Sequence, residues 1–345
     1  LSERKKENLK MDVLISIIMP AYNAERWIEN AINRIQKQTY SRWELIVVDD
    51  GSVDKTAAVC KSYITNDTRI KLFSQKNQGP SAARNLGLSK MKGDYFTIID
   101  SDDLLSEDAI EKYVKAAEVF HADMVIAGYK MVNTMTKAER IFTCREEMQF
   151  EINTHINTRE TEILLQDGLM ASNWNKLYSS VLADLRFDET LSLNEDVLYS
   201  LTALLRSRKV VSIKDVLYTY KIHNTDSVSM KFHPELPQAL EVLDSQLTKN
   251  QNKPLRREIS RWLMNYMFIY MRQICISEQL AGERISYLEE CIQSRVFKKY
   301  GTIFVADTLN RKLAILLLKL RQFNIYIKLM KKKKGIRCGR NINIS

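Results

Sequence analysis

Two carboxylates one residue apart, Asp100 and Asp102, follow directly on the apolar run Tyr95 to Ile99. A strand ending in such a pair offers two hard oxygen donors at one point, as an oxygen-ligated divalent cation requires, its remaining positions going to water or a diphosphate. Read alone, the same D-S-D-D turn serves equally well as a helix cap. A second acidic turn, Asp49-Asp50-Gly51-Ser52, closes the apolar run Leu45 to Val48. Its glycine lets a ligand approach the backbone, and its carboxylates can accept hydrogen bonds from a base or a ribose, or simply shape a turn and cap the next helix.

These turns need a frame that brings strand ends together. Leu14 to Met19, Leu45 to Val48 and Tyr95 to Ile99 are short β-rich runs, and a helical pattern through Trp27, Ile28, Ala31, Ile32 and Ile35 separates the first two. Further helices are predicted over Asp54 to Tyr63, over Ser81 to Ser89 behind Gly79-Pro80 with Ser81 as a cap, and over Asp108 to Phe120 with Ser106 as its cap. Asp123 to Tyr129 reads as another strand. The alternation predicts an α/β fold with a mostly parallel sheet, whose ligands sit beyond the carboxyl ends of the strands. Pro20-Ala21-Tyr22-Asn23 and the two acidic turns lie at those ends. Lys130 to Glu160 is polar and weakly periodic and reads as a loop or edge strand. Glu195 to Leu205 reads as helix and Val210 to Tyr220 as strand, and helical spacing dominates from Pro237 to Met330, placing a domain boundary near His233.

The chain has 345 residues, 45% hydrophobic and 27% charged, which suits two globular domains and excludes fibrous and disordered classes. The five cysteines are scattered without a C-x-x-C pair, so neither a zinc site nor a disulfide framework is suggested, in keeping with a reducing cytosol. The apolar stretch Val13 to Met19 is too short for an export signal or a membrane span, and a cytoplasmic protein is expected.

The strings PAYNAE (Pro20 to Glu25), VVDDGSVD (Val47 to Asp54), NQGPSAARNLGL (Asn77 to Leu88) and DYFTIIDSDD (Asp94 to Asp103) resemble glycosyltransferase family 2 in order and spacing. The resemblance is continuous over about residues 13 to 130, goes on through Trp174 to Tyr178, Asn194-Glu195-Asp196 and Tyr220 to Ser229, and stops beyond Met230. It implies a GT-A fold over 13–232; helical spacing and charge, not the resemblance, set off a basic extension at 1–12, a helical domain at 233–330 and a polybasic tail at 331–345. The activity implied is transfer of a sugar from a UDP-sugar with inversion at the anomeric carbon. No Q-x-x-R-W sequence of the processive synthases occurs, which favours one sugar per encounter.

By the same resemblance Pro20, Ala21, Tyr22, Asn23, Asp49, Asp50, Gly79, Arg84, Asp100 and Ser101 hold the nucleotide-sugar, Tyr22 as a stacking face and Asp50 or Asp49 as partner of the base. Asp102 and His223 become ligands of Mn2+ or Mg2+, and Asp196 the general base. Lys176, Glu195, Lys221, Ser227 and Ser229 line the diphosphate or the acceptor. Each has a plainer reading: Arg84 as a helix-surface charge, Glu195 and Asp196 as partners of a helix dipole, His223 and Trp174-Asn175-Lys176 as packing. Lys221 stands where the family often has Arg, exchanging a bidentate fork for a point charge.

The net charge of +10 is concentrated at the C-terminus, where Thr308 to Ser345 holds eleven Lys or Arg and no acid, leaving the other 307 residues at −1. Leu313 to Leu318, flanked by Lys312, Lys319 and Arg321 and followed by Lys331 to Lys334, reads as a basic amphipathic segment suited to an anionic membrane surface, or as a helix packed on its neighbours with the lysines solvated. Stacking aromatics do not interleave the basic block, which disfavours nucleic acid. A surface-bound enzyme with a soluble donor implies a lipid-linked glycan acceptor.

Overall fold

Every residue of β1 (Ile15–Ala21) and of β2 (Trp43–Asp49) is buried, as befits parallel strands covered on both faces by helices. The polar residues inside this layer are paired: Ser16 Oγ donates to Glu44 Oε1 at 2.7 Å, and Lys71 Nζ to Glu44 Oε2 at 2.5 Å. Between the two strands α1 (Ile28–Gln36) buries Ile28, Ala31, Ile32 and Ile35, a stripe at helical spacing. The chain continues through α2 (Thr56–Ile64), β3 (Ile70–Ser74), α3 (Pro80–Lys90), β4 (Tyr95–Ile98), β5 (Leu104–Leu105), α4 (Ala109–Phe120), β6 (Met124–Asn133), β7 (Glu139–Phe142) and β8 (Met148–Glu151). Then come α5 (Thr158–Gln166), β9 (Lys176–Ser179), α6 (Glu195–Arg206) and the long β10 (Lys209–Ile222). This computed structural model describes residues 12–151, 158–223, 232–247, 253–301 and 309–332.

The sheet order is β3-β2-β1-β4-β9-β6-β10-β5, with β7 paired to β6 and β8 to β10. From β3 to β4 all pairings are parallel. Beyond β4 the sheet is mixed: β9 runs antiparallel to β4 and β6, while β6 and β10 are parallel. The weakly periodic stretch after Lys130 supplies the two edge strands β7 and β8.

Two helix starts differ from expectation. Gly79, at φ 91°, caps α3 with Pro80 in the first turn, so Ser81 lies inside the helix and is buried. Asp108 stands at the N-cap position of α4 without a side-chain bond to the helix amides, and Ser106 donates its hydroxyl to Asp108 Oδ1 at 2.8 Å.

Contacts divide the chain into two compact units, Leu1–Met230 and Lys231–Ser345. The second holds α7 (Leu236–Leu247), α8 (Lys253–Ile276), α9 (Arg284–Gln293), α10 (Arg295–Tyr300), α11 (Leu309–Lys319) and α12 (Phe323–Lys332). Helix α8 is its axis, packed by α7, α9, α10 and α12, with Leu263, Met267, Met271 and Ile274 fully buried. Buried Asp244 accepts from Lys299 Nζ at 2.8 Å and Tyr300 Oη at 2.6 Å, pinning α10 to α7. Among the described residues no helix is long and apolar enough to cross a membrane.

Candidate active site

The carboxyl ends of β1, β2 and β4 bring the three strand-end motifs to one edge. The loops after β1 and β2 are laced together. Asp50 N donates to Ala21 O at 2.8 Å, Asn23 N to Ser52 Oγ at 3.0 Å, and Val53 N to Asn23 Oδ1 at 3.0 Å. Asn23 adopts φ 50°, a left-handed turn that an asparagine tolerates. Pro20 and Ala21 are buried at the end of β1, whereas Tyr22 is 51% exposed, its ring open to a stacking partner.

The first acidic turn is held by its own backbone and by the 75–79 loop. Asp50 Oδ1 accepts from Gln75 Nε2 at 2.8 Å and Gln78 N at 2.9 Å, and Oδ2 accepts from Gly79 N at 2.8 Å. Asp49 Oδ1 accepts from Ser52 N at 3.1 Å. Gly51 holds φ 75°, and a Cβ there would lie 2.7 Å from Asn77 N, so the turn and the 75–79 loop close only on glycine. Asp50 therefore shapes the floor under Gly79 and the start of α3.

The second acidic turn is crowded and differently supplied. Asp103 has no exposed surface; Tyr218 Oη donates to its Oδ2 at 2.7 Å and Lys221 N to its Oδ1 at 2.8 Å, while Asp100 N donates to Tyr218 Oη at 3.2 Å. Burial, with Asp102 and Asp100 beside it, pushes Asp103 well above the usual carboxylate range. Burial and then Asp100 push Asp102 up to about 6.

Across from Asp102, His223 Nε2 lies 3.8 Å from Oδ2. The imidazole stacks on Trp27, with ring centroids 3.8 Å apart and planes at 24°. Both ring nitrogens are buried without a hydrogen-bond partner among the described residues, and burial holds the group below its ordinary pKa, as a neutral ligand needs. The pair thus fits a cation: a carboxylate crowded by like charge beside an unsatisfied neutral imidazole. Among the described residues no third His, Cys, Asp or Glu joins them closely enough to complete a protein cage.

Arg84 joins this turn to the start of α6. Its Nη2 reaches Asp100 Oδ1 at 3.2 Å and its Nη1 reaches Glu195 Oε1 at 2.9 Å, with the side chain 8% exposed. Burial opposes the charge, but Asp100, Glu195 and Asp196 outweigh it and hold the guanidinium protonated. The guanidinium also lies 5.3 Å from the Phe187 ring, in a loop that Asn85 ties down through Phe187 N and O. Arg84 is a buried strut, not a surface charge.

Asp196 follows Glu195 at the first turn of α6, entered through Asn194 in the left-handed region at φ 63°. Burial first, then Glu195, push Asp196 up to about 7, with Arg84 pulling the other way. Lys176 is fully buried beneath this helix start: its ammonium donates to Leu169 O at 2.6 Å and to Ser172 O and Asn175 Oδ1, and burial pulls it down to about 7. Ser200 Oγ donates to the same Ser172 O at 2.7 Å, so Lys176 braces the 169–175 loop against α6 and offers no surface to an acceptor. Lys221 and Ser101 are partly exposed at the edge of the acidic turn, while Ser227 and Ser229 lie outside the described residues.

Sequence reasoning missed Trp27, Asp103 and Tyr218. The third carboxylate of D-S-D-D was a visible signal for Asp103, but its partner depends on the pairing of β10 with β5, which no local pattern carries.

The family profile described as Glycosyl transferase family 2 matches residues 16–182. The glycosyltransferase GlyA of Streptococcus pneumoniae is 34% identical over 220 residues, 61% of this chain but 31% of that protein, so the chain spans about a third of this relative's length. An uncharacterized glycosyltransferase of Haemophilus influenzae is 41% identical over 164 residues, 44% of this chain and 65% of its own length. The uncharacterized glycosyltransferase EpsJ of Bacillus subtilis is 30% identical over 239 residues, 66% of this chain and 67% of its own. Among solved structures, S. aureus TarS 1-349 in complex with UDP-GlcNAc superposes with a TM-score of 0.72 at 20% identity, over 93% of this chain and 91% of that one. The mannosyltransferase PcManGT from Pyrobaculum calidifontis, solved with GDP-Man and Mn2+, reaches 0.54 at 14%, over 93% of this chain and 86% of that one. The sheet with its flanking helices is the GT-A fold that TarS displays, and with the strand-end motifs in register the chain belongs to glycosyl transferase family 2.

Proposed function

We propose that the protein moves one sugar from a UDP-sugar to a hydroxyl of a lipid-linked glycan at the cytoplasmic face of a membrane, inverting the anomeric centre in a single in-line displacement. The observation that carries this reading is the pair of ion pairs from Arg84 to Asp100 and to Glu195, which holds the donor-side carboxylates and the α6 carboxylates as one constellation. In it Asp196, at about 7, matches the proton affinity expected of a base that takes the acceptor hydroxyl proton near neutral pH. Tyr22 stacks the base, and the backbone around Gly79, shaped by Asp50, lines the nucleotide.

Asp102 and His223 are the residues that would hold Mn2+ or Mg2+, with water and diphosphate oxygens as the other ligands. When bound, the ion neutralises charge developing on the leaving diphosphate. Glu195 and Arg84 keep the floor of the site rigid, and Lys221 stands beside the acidic turn as a point charge for the diphosphate. The TarS complex with UDP-GlcNAc supports the choice of a UDP donor.

Calorimetric titration of UDP with and without Mn2+, on the parent, Asp102→Ala and Asp196→Asn, tests the reading. Mn2+-dependent binding is expected in the parent, weakened by Asp102→Ala and retained by Asp196→Asn, whose UDP-sugar turnover falls by about 10²- to 10⁴-fold. UDP binding that ignores both Mn2+ and Asp102→Ala, or turnover untouched by Asp196→Asn, sinks the assignment.

A further inference from the structure

The terminal helical hairpin divides its apolar residues between two surfaces. Ala314, Leu318, Phe323, Tyr326 and Met330 are buried, and α12 packs on α8. On the other side Leu313, Leu316 and Leu320 are 43%, 52% and 59% exposed. Leu317, partly exposed, falls between them, so positions 313, 316, 317 and 320 form one stripe at the i, i+3, i+4, i+7 spacing of a single helix face. Leu320 belongs to that face because its amide still donates to Leu316 O at 2.9 Å, one residue beyond the end of α11. Arg321, at φ 53°, then turns the chain into α12, whose Ile325 is also 52% exposed.

Packing within the unit thus accounts for one face of α11 and leaves a row of leucines in water. Contiguous exposed aliphatics rimmed by charge mark an interaction surface. Here the rim is basic: Lys312, Lys319, Arg321, Lys328 and Lys331 are all exposed, no acidic residue occurs from Thr308 to Ser345, and Arg321 is met at 3.7 Å by Glu289 of α9.

We infer that this face of α11 lies in the interface of an anionic bilayer, the leucine row entering the acyl boundary and the basic rim meeting acidic headgroups. A leucine row gains nothing from stacking on bases, so nucleic acid satisfies only the charge, whereas an anionic lipid surface satisfies both halves of the pattern. A second copy of the chain would bring the same positive rim against itself. The inference rests on the proposed glycosyl transfer only for the use of the contact, which is to bring the enzyme to a lipid-linked acceptor.

The test is sedimentation of the full chain with phosphatidylcholine vesicles and with vesicles containing phosphatidylglycerol, at low and high salt, alongside UDP binding on the same preparations. Binding is expected on the anionic vesicles alone and should weaken as salt screens the rim. Leu316→Glu with Leu320→Glu should lower it about a hundredfold. Lys319→Glu with Lys328→Glu, which keeps the leucines, should lower it about tenfold or more. All four positions are exposed, so UDP binding and helical circular dichroism should match the parent. Equal sedimentation with neutral vesicles, a concentration-dependent dimer dissolved by Leu316→Glu in place of vesicle binding, or retention on duplex DNA in its place each overturn the inference. Loss of vesicle binding with UDP binding intact removes this surface and leaves the proposed activity standing; loss of UDP binding in the parent does the reverse.

Discussion

The acidic turns at the ends of β2 and β4 are built from nearly the same residues and do opposite things. At Asp49-Asp50-Gly51-Ser52 the carboxylates are met by backbone and side-chain donors, Asp49 by its own turn and Asp50 by the 75–79 loop, from which it receives two amide hydrogens and a Gln75 side chain. At Asp100-Ser101-Asp102-Asp103 the carboxylates face one another, only Asp103 is met by a strand neighbour, and Asp102 is left toward an imidazole with unsatisfied nitrogens. What separates a scaffold carboxylate from a reactive one is the number of donors the fold aims at it, and spacing in the sequence does not report that number.

This contrast is most strained by paired substitutions. Asp102→Ala should lower turnover by about 10³-fold without lowering the urea midpoint of unfolding. Asp50→Ala should do the reverse in kind, leaving three partly buried donors without their acceptor and destabilising the fold by about 1–2 kcal/mol, with the Mn2+ dependence of UDP binding preserved in the folded fraction. A stable Asp50→Ala protein that has lost its metal response would erase the distinction.

Arg84→Met comes next. It leaves Asp100 and Glu195 as partly buried charges without their cation and should cost about 3 kcal/mol in chemical denaturation. Because Arg84 lowers the pKa of Asp196, the acid limb of the turnover profile should also move to higher pH. An unmoved limb would show that Asp196 is insulated from the strut.

A third expectation concerns pH in the metal-free protein. Asp102 is raised from the usual 3.8 to about 6, so its contribution to stability is present below pH 3.8 and is lost as pH rises through about 6. Asp102→Asn should therefore raise the melting temperature at pH 8 and leave it nearly unchanged at pH 4. Thermal scans at the two values decide it, and an equal shift at both would assign the effect to packing. Smallest is Tyr22→Ala, which removes an exposed stacking face and should weaken UDP about five- to tenfold by calorimetry.

Much of the first unit was legible because buried parallel strands write themselves as unbroken apolar runs. Ile15–Ala21 begins one residue after the start of the run Leu14 to Met19 and goes two past its end, and Trp43–Asp49 contains the run Leu45 to Val48 and extends it at both ends. The stripe Ile28, Ala31, Ile32, Ile35 gave α1 for the same reason. Strand β3 (Ile70–Ser74), interrupted by Lys71 and only partly buried, left no such run. The antiparallel insertion of β9 between β4 and β6 pairs residues more than eighty positions apart on one side and fifty or more on the other, beyond any local pattern. In the site, types and order were readable but partners were not. Lys176 reads as an acceptor or diphosphate contact from the family resemblance, with packing as its plainer reading, and Asn175 and two carbonyls enclose it. Arg84 reads as a nucleotide-side residue with a helix-surface charge as its plainer alternative, and no local pattern shows that Phe187 and the start of α6 cover it.

The stack of Trp27 on His223 has an optical consequence. Of the four tryptophans, Trp43, Trp174 and Trp262 are 2%, 8% and 7% exposed, while Trp27 is 37% exposed and in face contact with the imidazole. An imidazole at that distance quenches indole emission, and it does so more strongly when protonated or bound to a cation, and more strongly still when the cation is paramagnetic. Occupancy beside Asp102 should therefore be written into the red side of the protein's own fluorescence, as a dimming on addition of Mn2+ that Trp27→Phe abolishes and that needs no label, no donor and no turnover to be seen.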